Sequence, residues 1–134
     1  MNEVLLQKIE RLKEELIYLK SNKQNILKKL DTSIDFKKIA ERSVYLCAEI
    51  TLDIADLVLL QKGLPKPSTY SESIYKLGDY KIIPKEFARK FVYIAGLRNF
   101  LAHDYRINTV PTLKRFIRTG MKDIERFISS IEKI

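Results

Sequence analysis

The stretch Val44-Tyr45-Leu46-Cys47-Ala48-Glu49-Ile50-Thr51-Leu52-Asp53-Ile54-Ala55-Asp56-Leu57-Val58-Leu59-Leu60 decides the fold class. Wound as a helix it is apolar nearly all round, through Val44, Leu46, Ala48, Ile50, Leu52, Ile54, Leu57 and Leu59. A helix of that kind has to be covered on most sides by other helices. The spacing predicts a helix over Ser33–Gln61, capped by Asp31 or Thr32 and terminated by Gly63. One small chain covers such a helix only in part, which points to a second copy of the chain. Glu49, Asp53 and Asp56 interrupt the apolar surface along one line, at i, i+4 and i+7. That line is either a solvated face or a row of carboxylates facing a basic site.

Everything around this stretch also has a helical period. Leu5, Ile9, Leu12, Leu16, Leu19, Ile26 and Leu30 alternate at spacings of four and three, an a/d seam in which Lys23 fills one slot. Ser21-Asn22 ends or weakens that helix. The seam suits a bundle helix or a free coiled coil; the apolar pattern continuing beyond it favours the bundle. Gly63-Leu64-Pro65-Lys66-Pro67-Ser68 is a loop. Thr69 with Glu72 forms a capping box for a short helix over Ser71–Leu77, which Gly78 ends. Pro84 sits in the first turn of a helix over Lys85–Ala102. Thr109 and Pro111 start the last helix, with a stripe at Leu113, Phe116, Ile117, Gly120, Ile124, Phe127, Ile128 and Ile131. No strand alternation of useful length interrupts the series. The expected architecture is all-α, an up-and-down four-helix bundle with one additional short helix, a single domain over 1–134.

Composition narrows the chemistry. The chain has 134 residues, one Cys, one His and four Gly. One His and one Cys are too few for a zinc site, which needs about four N/S ligands. Four glycines leave little for a phosphate-cradling loop. No cofactor or metal is expected. With one Cys no internal disulfide forms, which suits a reducing cytosol. Glu3 and Glu10 interrupt the N-terminus, so no signal peptide is read there. Glu49, Asp53 and Asp56 break the longest apolar run, so no membrane span is read either. The net charge is +8, which favours a polyanion such as RNA and also falls within ordinary solubility variation. The excess is uneven: residues 31–62 carry net −2, while residues 91–134 carry net +4.

The penultimate helix breaks its own pattern. Its stripe runs Phe87, Phe91, Ile94, then Leu101, and the missing slot is Arg98. A mid-stripe arginine is costly unless it is paired or working. His103, the only histidine, follows five residues on, and Tyr105 two further. Arginine holds a phosphate and stabilises its charge in the transition state. Histidine passes a proton near neutral pH. A ribose 2′-OH as nucleophile needs no metal, which makes RNA the natural substrate. At about 100° per residue, Arg98 and His103 lie about 140° apart on an unbroken helix. Either the helix ends near His103 or the site draws on two chains of a two-fold dimer. The plainer alternative makes His103 a helix cap and pairs Arg98 with Glu49 or Asp53. Cys47 reads as a small buried core residue.

The segment Arg98-Asn99-Phe100-Leu101-Ala102-His103-Asp104-Tyr105 resembles the R-x4-H motif of the HEPN superfamily, and its R-x4-H-x-Y extension resembles the HepT branch. Cys47–Ala55, Gly63–Pro67, Tyr70, Glu72 and Ile82-Ile83-Pro84 are similar to that family's other segments. HepT proteins are toxins of HEPN–MNT toxin–antitoxin pairs. The resemblance implies a HEPN-like homodimer with a metal-independent ribonuclease site at its interface. It implies a minimal nucleotidyltransferase (MNT) antitoxin as partner, which transfers AMP to the motif tyrosine, here Tyr105. Arg98 and His103 are then the catalytic pair. Asn99 holds the phosphate or orients His103, Tyr105 contacts the RNA, and Glu49 or Asp53 orients Arg98 or His103. The alternative is a catalytically silent HEPN scaffold that binds nucleotide or the nucleotidyltransferase.

Overall fold

The computed structural model describes residues 2–103 and 107–134, and among them there is no strand. Helix α1 (Glu3–Ser21) is followed, after a turn at Asn22, by α2 (Lys23–Lys29). The long α3 (Ile34–Gln61) comes next, then α4 (Tyr70–Asp79), α5 (Lys85–Phe91) and α6 (Tyr93–Ala102). The chain closes with α7 (Val110–Arg115), a π-helical turn over Phe116–Gly120, and α8 (Met121–Glu132). α1, α3, α5–α6 and α7–α8 are the four arms of the bundle, and α4 is the short addition.

The seam of the first arm is buried throughout: Leu5, Ile9, Leu12, Leu16, Leu19, Ile26 and Leu30 are each at most 4% exposed. Each such side chain contributes about 1.5–3 kcal/mol of burial. This seam is why the segment becomes a bundle helix, packed on α3. Lys13–Glu132 at 2.8 Å and Lys20–Glu125 at 2.7 Å tie α1 to α8. Both pairs are exposed and set direction more than stability.

α3 is the central helix. α1, α2, α4, α6 and α7 all pack against it. Val44, Ala48, Leu52 and Ile54 are fully buried within the single chain. Leu46 and Leu57 stay half-buried and Leu60 is 72% exposed, so the other helices cover the apolar surface of α3 in large part and leave this strip open. Asp31 and Thr32 are not its caps. Ser33 is, its hydroxyl accepting from the Phe36 N–H at 3.2 Å. At the other end Gly63, at φ +67°, closes a Schellman turn, with Gly63 N–H to Leu60 O and Leu64 N–H to Leu59 O, both 3.0 Å.

Three further boundaries depart from the sequence reading. Gly78 does not end α4; it lies inside it, and a Cβ there would stand 2.6 Å from the Ala88 Cβ, so it lets α4 and α5 touch. Lys81, at φ 58°, makes the turn instead, with its N–H to Gly78 O and the Ile82 N–H to Leu77 O. The expected helix over Lys85–Ala102 is interrupted at Val92, where Ala95 N–H bonds back to Val92 O at 3.1 Å. Phe91 beside the break stacks on Phe87 (5.0 Å between centroids) and leans on Phe127 (5.5 Å), which anchors the joint. The last helix is split by the π turn. The Thr69 cap is as expected: its hydroxyl accepts from Glu72 N–H at 3.1 Å, and the Glu72 carboxylate accepts from the Ser68 N–H at 2.8 Å.

Candidate functional site

α6 turns Ile94, Ala95 and Leu97 into the core and packs on α3. Arg98, one turn after Ile94, lies at the edge of that buried face and reaches across to α3. Its Nε donates to Glu49 Oε2 at 2.6 Å, and Nη1 donates to Asn99 Oδ1 at 3.4 Å. The Glu49 hydrogen bond raises the guanidinium above its ordinary range, so Arg98 carries a fixed charge. Tyr70 from α4 lies 5.1 Å and Tyr45 from α3 lies 5.8 Å from the guanidinium carbon, ring centroid to Cζ. Tyr45 also donates its hydroxyl to Glu49 Oε2 at 3.1 Å. Burial, followed by that hydrogen bond, pushes the Tyr45 phenol upward and keeps it protonated. Arg98 and Glu49 each retain about a quarter of their side-chain exposure, 23% and 24%. The arginine is paired but stands at an open rim, not in a closed core.

α6 ends at Ala102, and His103 takes an extended backbone, φ −101° and ψ 142°. The helix stops before the histidine, which stands at its C-cap position. His103 is exposed at that end. Asp104 and Tyr105 lie outside the described residues. Asn99 is exposed beside Arg98.

The carboxylate line of α3 divides among three neighbours. Glu49 holds Arg98, Asp53 pairs with Lys8 of α1 at 3.1 Å, and Asp56 accepts from the Ser73 hydroxyl at 2.6 Å. Of the two carboxylates proposed to orient the motif, Glu49 touches it and Asp53 is turned to α1. Cys47 is fully buried, and burial pushes its thiol well above its ordinary range. Tyr45 and Tyr70 as contacts of Arg98 go beyond what the motif itself implies. The signal for Tyr45 is its spacing: Lys38, Arg42, Tyr45 and Glu49 fall at i, i+4, i+7 and i+11, one face of α3. Among the described residues no group of His, Cys, Asp and Glu could hold a metal ion, and no helix is long and apolar enough to cross a membrane.

Fold and rim together define an all-α helical bundle of the HEPN kind with an arginine–histidine motif at the end of its penultimate arm. The chain belongs to the family described as Ribonuclease HepT-like, whose profile matches residues 5–131. It is 34% identical over 74 residues to the tRNA nuclease HepT of Aphanizomenon flos-aquae, 55% of this chain and 50% of that protein. It is 27% identical over 86 residues to the mRNA nuclease HepT of Shewanella oneidensis, 64% of this chain and 65% of that protein. The matches thus span about half to two thirds of the length of these relatives. The fold matches that of a tri-AMPylated Shewanella oneidensis HEPN toxin solved in complex with MNT antitoxin, with a TM-score of 0.86, 21% identity and full coverage of both chains. A toxin–antitoxin structure with AMP-PNP is similar at a TM-score of 0.85 and 19% identity, again over the whole of both chains.

Proposed function

We propose that the chain is a metal-independent endoribonuclease toxin of a prokaryotic toxin–antitoxin pair, acting in the cytoplasm. The observation that carries this reading is Arg98, a charge set into an apolar register, fixed by Glu49 and exposed at a rim five residues ahead of His103. Membership in the HepT-like ribonuclease family supports it. In this reading Arg98 binds the scissile phosphate and stabilises its extra negative charge. His103 moves the proton at the 2′-OH or at the leaving 5′-oxygen. Asn99 helps hold the phosphate. The 2′-oxygen attacks phosphorus and the 5′-oxygen leaves with a proton, giving a 2′,3′-cyclic phosphate. A homodimer brings two motifs together, and a minimal nucleotidyltransferase is the antitoxin partner. Transfer of AMP to Tyr105 is its silencing step, a reading supported by the AMPylated state of the similar Shewanella toxin.

The test is cleavage of a mixed cellular RNA in EDTA, with mass spectrometry of the product ends. Wild type is expected to cut RNA and leave cyclic phosphates, and to spare DNA. General acid–base catalysis typically contributes 10²–10⁴-fold, so His103→Ala should retain less than about a hundredth of the rate, and Arg98→Ala likewise, both with unchanged circular dichroism. Activity that vanishes in EDTA and returns with Mg²⁺ contradicts the mechanism. A folded wild type that binds its nucleotidyltransferase and cuts no RNA leaves the silent scaffold.

A further inference from the structure

Beside the motif, towards the N-terminal half of α3, lies an open groove of about 420 Å³ lined by Lys38, Glu41, Arg42, Tyr45, Leu101 and Ala102. That volume is within the range of small-ligand clefts, about 300–1,000 Å³. Tyr45 forms the border between groove and motif. The Cζ of Arg42 lies 5.7 Å from its ring centroid and that of Arg98 5.8 Å. Both guanidinium groups therefore flank one aromatic ring. Lys38 continues the line one turn further along the same face of α3, and both Lys38 and Arg42 are exposed. Among the described residues Glu41 is the single carboxylate in the lining, and it accepts from the Thr109 hydroxyl at 2.8 Å. Two cations against that one carboxylate leave the groove basic. Leu101 is the one large aliphatic side chain among the described lining residues, too little to anchor a protein partner by apolar contact.

Alternating cations around a ring are what a single-stranded nucleic acid needs. Its phosphates take the cations, and a base stacks on the aromatic face whatever its identity. We propose that this groove is the nucleotide subsite next to the scissile bond: exposed Arg42 turns from the Tyr45 ring to the strand, Arg42 and Lys38 each take one of the next two phosphates, and the adjoining base stacks on the ring face that Arg42 leaves. The ligand is single-stranded RNA, and the inference rests on the ribonuclease reading for which phosphate Arg98 holds. It extends the site from a two-residue motif to a stripe on α3. That stripe accounts for the change of sign along the helix, basic at Lys38 and Arg42 and acidic at Glu49, Asp53 and Asp56.

The test uses the full chain and a fluorescein-labelled 2′-O-methyl oligoribonucleotide of about ten nucleotides, which binds but cannot be cleaved through a 2′-OH. Its affinity is read by anisotropy over a series of salt concentrations. Arg42→Ala and Lys38→Ala should each weaken binding and lower the salt slope by about 0.7, the value for one lost phosphate contact on a single strand. Tyr45→Leu should weaken binding about tenfold without changing the slope, and Tyr45→Phe, which keeps the ring, should bind as wild type does. Arg42 and Lys38 are exposed, so their variants keep the question answerable if Tyr45→Leu fails to fold. Binding unchanged in Arg42→Ala and Lys38→Ala overturns the subsite, and so does a wild type that binds no oligonucleotide. Cleavage of ordinary RNA, measured in parallel, separates the two readings. Wild-type cleavage with indifferent variants removes the subsite alone. Loss of binding in the variants with no cleavage by any form keeps the subsite and removes the ribonuclease.

Discussion

Glu49 does two things for Arg98 that act in opposite directions. Its carboxylate accepts from Nε at 2.6 Å and so fixes the plane of the guanidinium. It also offsets part of the positive charge a phosphate would feel. Orientation outweighs the offset here, because Nε is the donor nearest the chain; Nη1 also donates to Asn99 at 3.4 Å, and the other N–H groups of the terminal amino groups are what a phosphate would meet. Glu49 is on this view a positioning residue. Glu49→Gln replaces a charge-assisted acceptor by a weaker neutral one that can also turn its amide nitrogen to Nε, so the guanidinium plane is held less firmly. With both side chains about a quarter exposed, the stability lost should be about 1 kcal/mol, between surface and buried pairs. The turnover rate should fall about tenfold with little change in KM. The double variant Glu49→Gln/Arg98→Ala should be no slower than Arg98→Ala alone, because there is then nothing left to position. Additive losses in that double-mutant cycle would mean that Glu49 acts on something other than Arg98. Arg98 is legible in the sequence because it occupies an apolar slot. Tyr70 as its neighbour is not, because nothing local says that α4 folds back over the rim.

At the scale of elements, periodicity carries most of the fold, and local chemistry carries the boundaries less well. The seam of α1 and the stripe from Leu113 to Ile131 are buried as their spacing requires. The joint at Val92 and the π turn over Phe116–Gly120 carry no proline to announce them; aromatic rings stack beside the first, and at the second the Phe116 ring lies against Gly120. Gly78 and Lys81 show why a terminator is hard to read. A glycine near the end of a helix looks like its stop, yet here Gly78 is spent on contact with Ala88 and the left-handed turn falls to a lysine. The two substitutions should therefore move stability in opposite directions. The left-handed conformation costs a residue with a Cβ about 1–2 kcal/mol, and glycine loses about 0.5–1 kcal/mol more chain entropy on folding. Lys81→Gly should then gain roughly 0.5 kcal/mol, about 2 °C in Tm. Gly78→Ala should lose about 1–3 kcal/mol through overpacking. Differential scanning calorimetry of the pair checks both. A stabilised Gly78→Ala would place the close contact elsewhere.

At the scale of the whole molecule, the burial of α3 changes the ground on which a dimer stands. The five helices packed on α3 cover most of its apolar surface within one chain; half-buried Leu46 and Leu57 and exposed Leu60 are what it leaves for a partner. Beyond that strip there remain the rim and the outward face of α6. Tyr93 is 40% exposed there, and a Cβ at Gly96 would meet nothing within 4 Å. Tyr93, Gly96 and Phe100 share that face and, with the π turn, line a groove of about 410 Å³. A small residue on an exposed helix face lets a second helix approach closely. A two-fold axis there would bring two copies of the Arg98–His103 segment to one place. Light scattering at micromolar concentration should give about twice the 15.7 kDa of the chain. Gly96→Arg points its side chain into space that is open in the single chain, so the fold should survive with unchanged circular dichroism. The same side chain would stand where the second α6 needs to be. The expected outcome is a folded monomer that has lost RNA cleavage. A monomeric wild type would remove the composite site, and the motif would then have to act within one chain. A dimer indifferent to Gly96→Arg would move the interface to another face, and with it the reason for two motifs to meet.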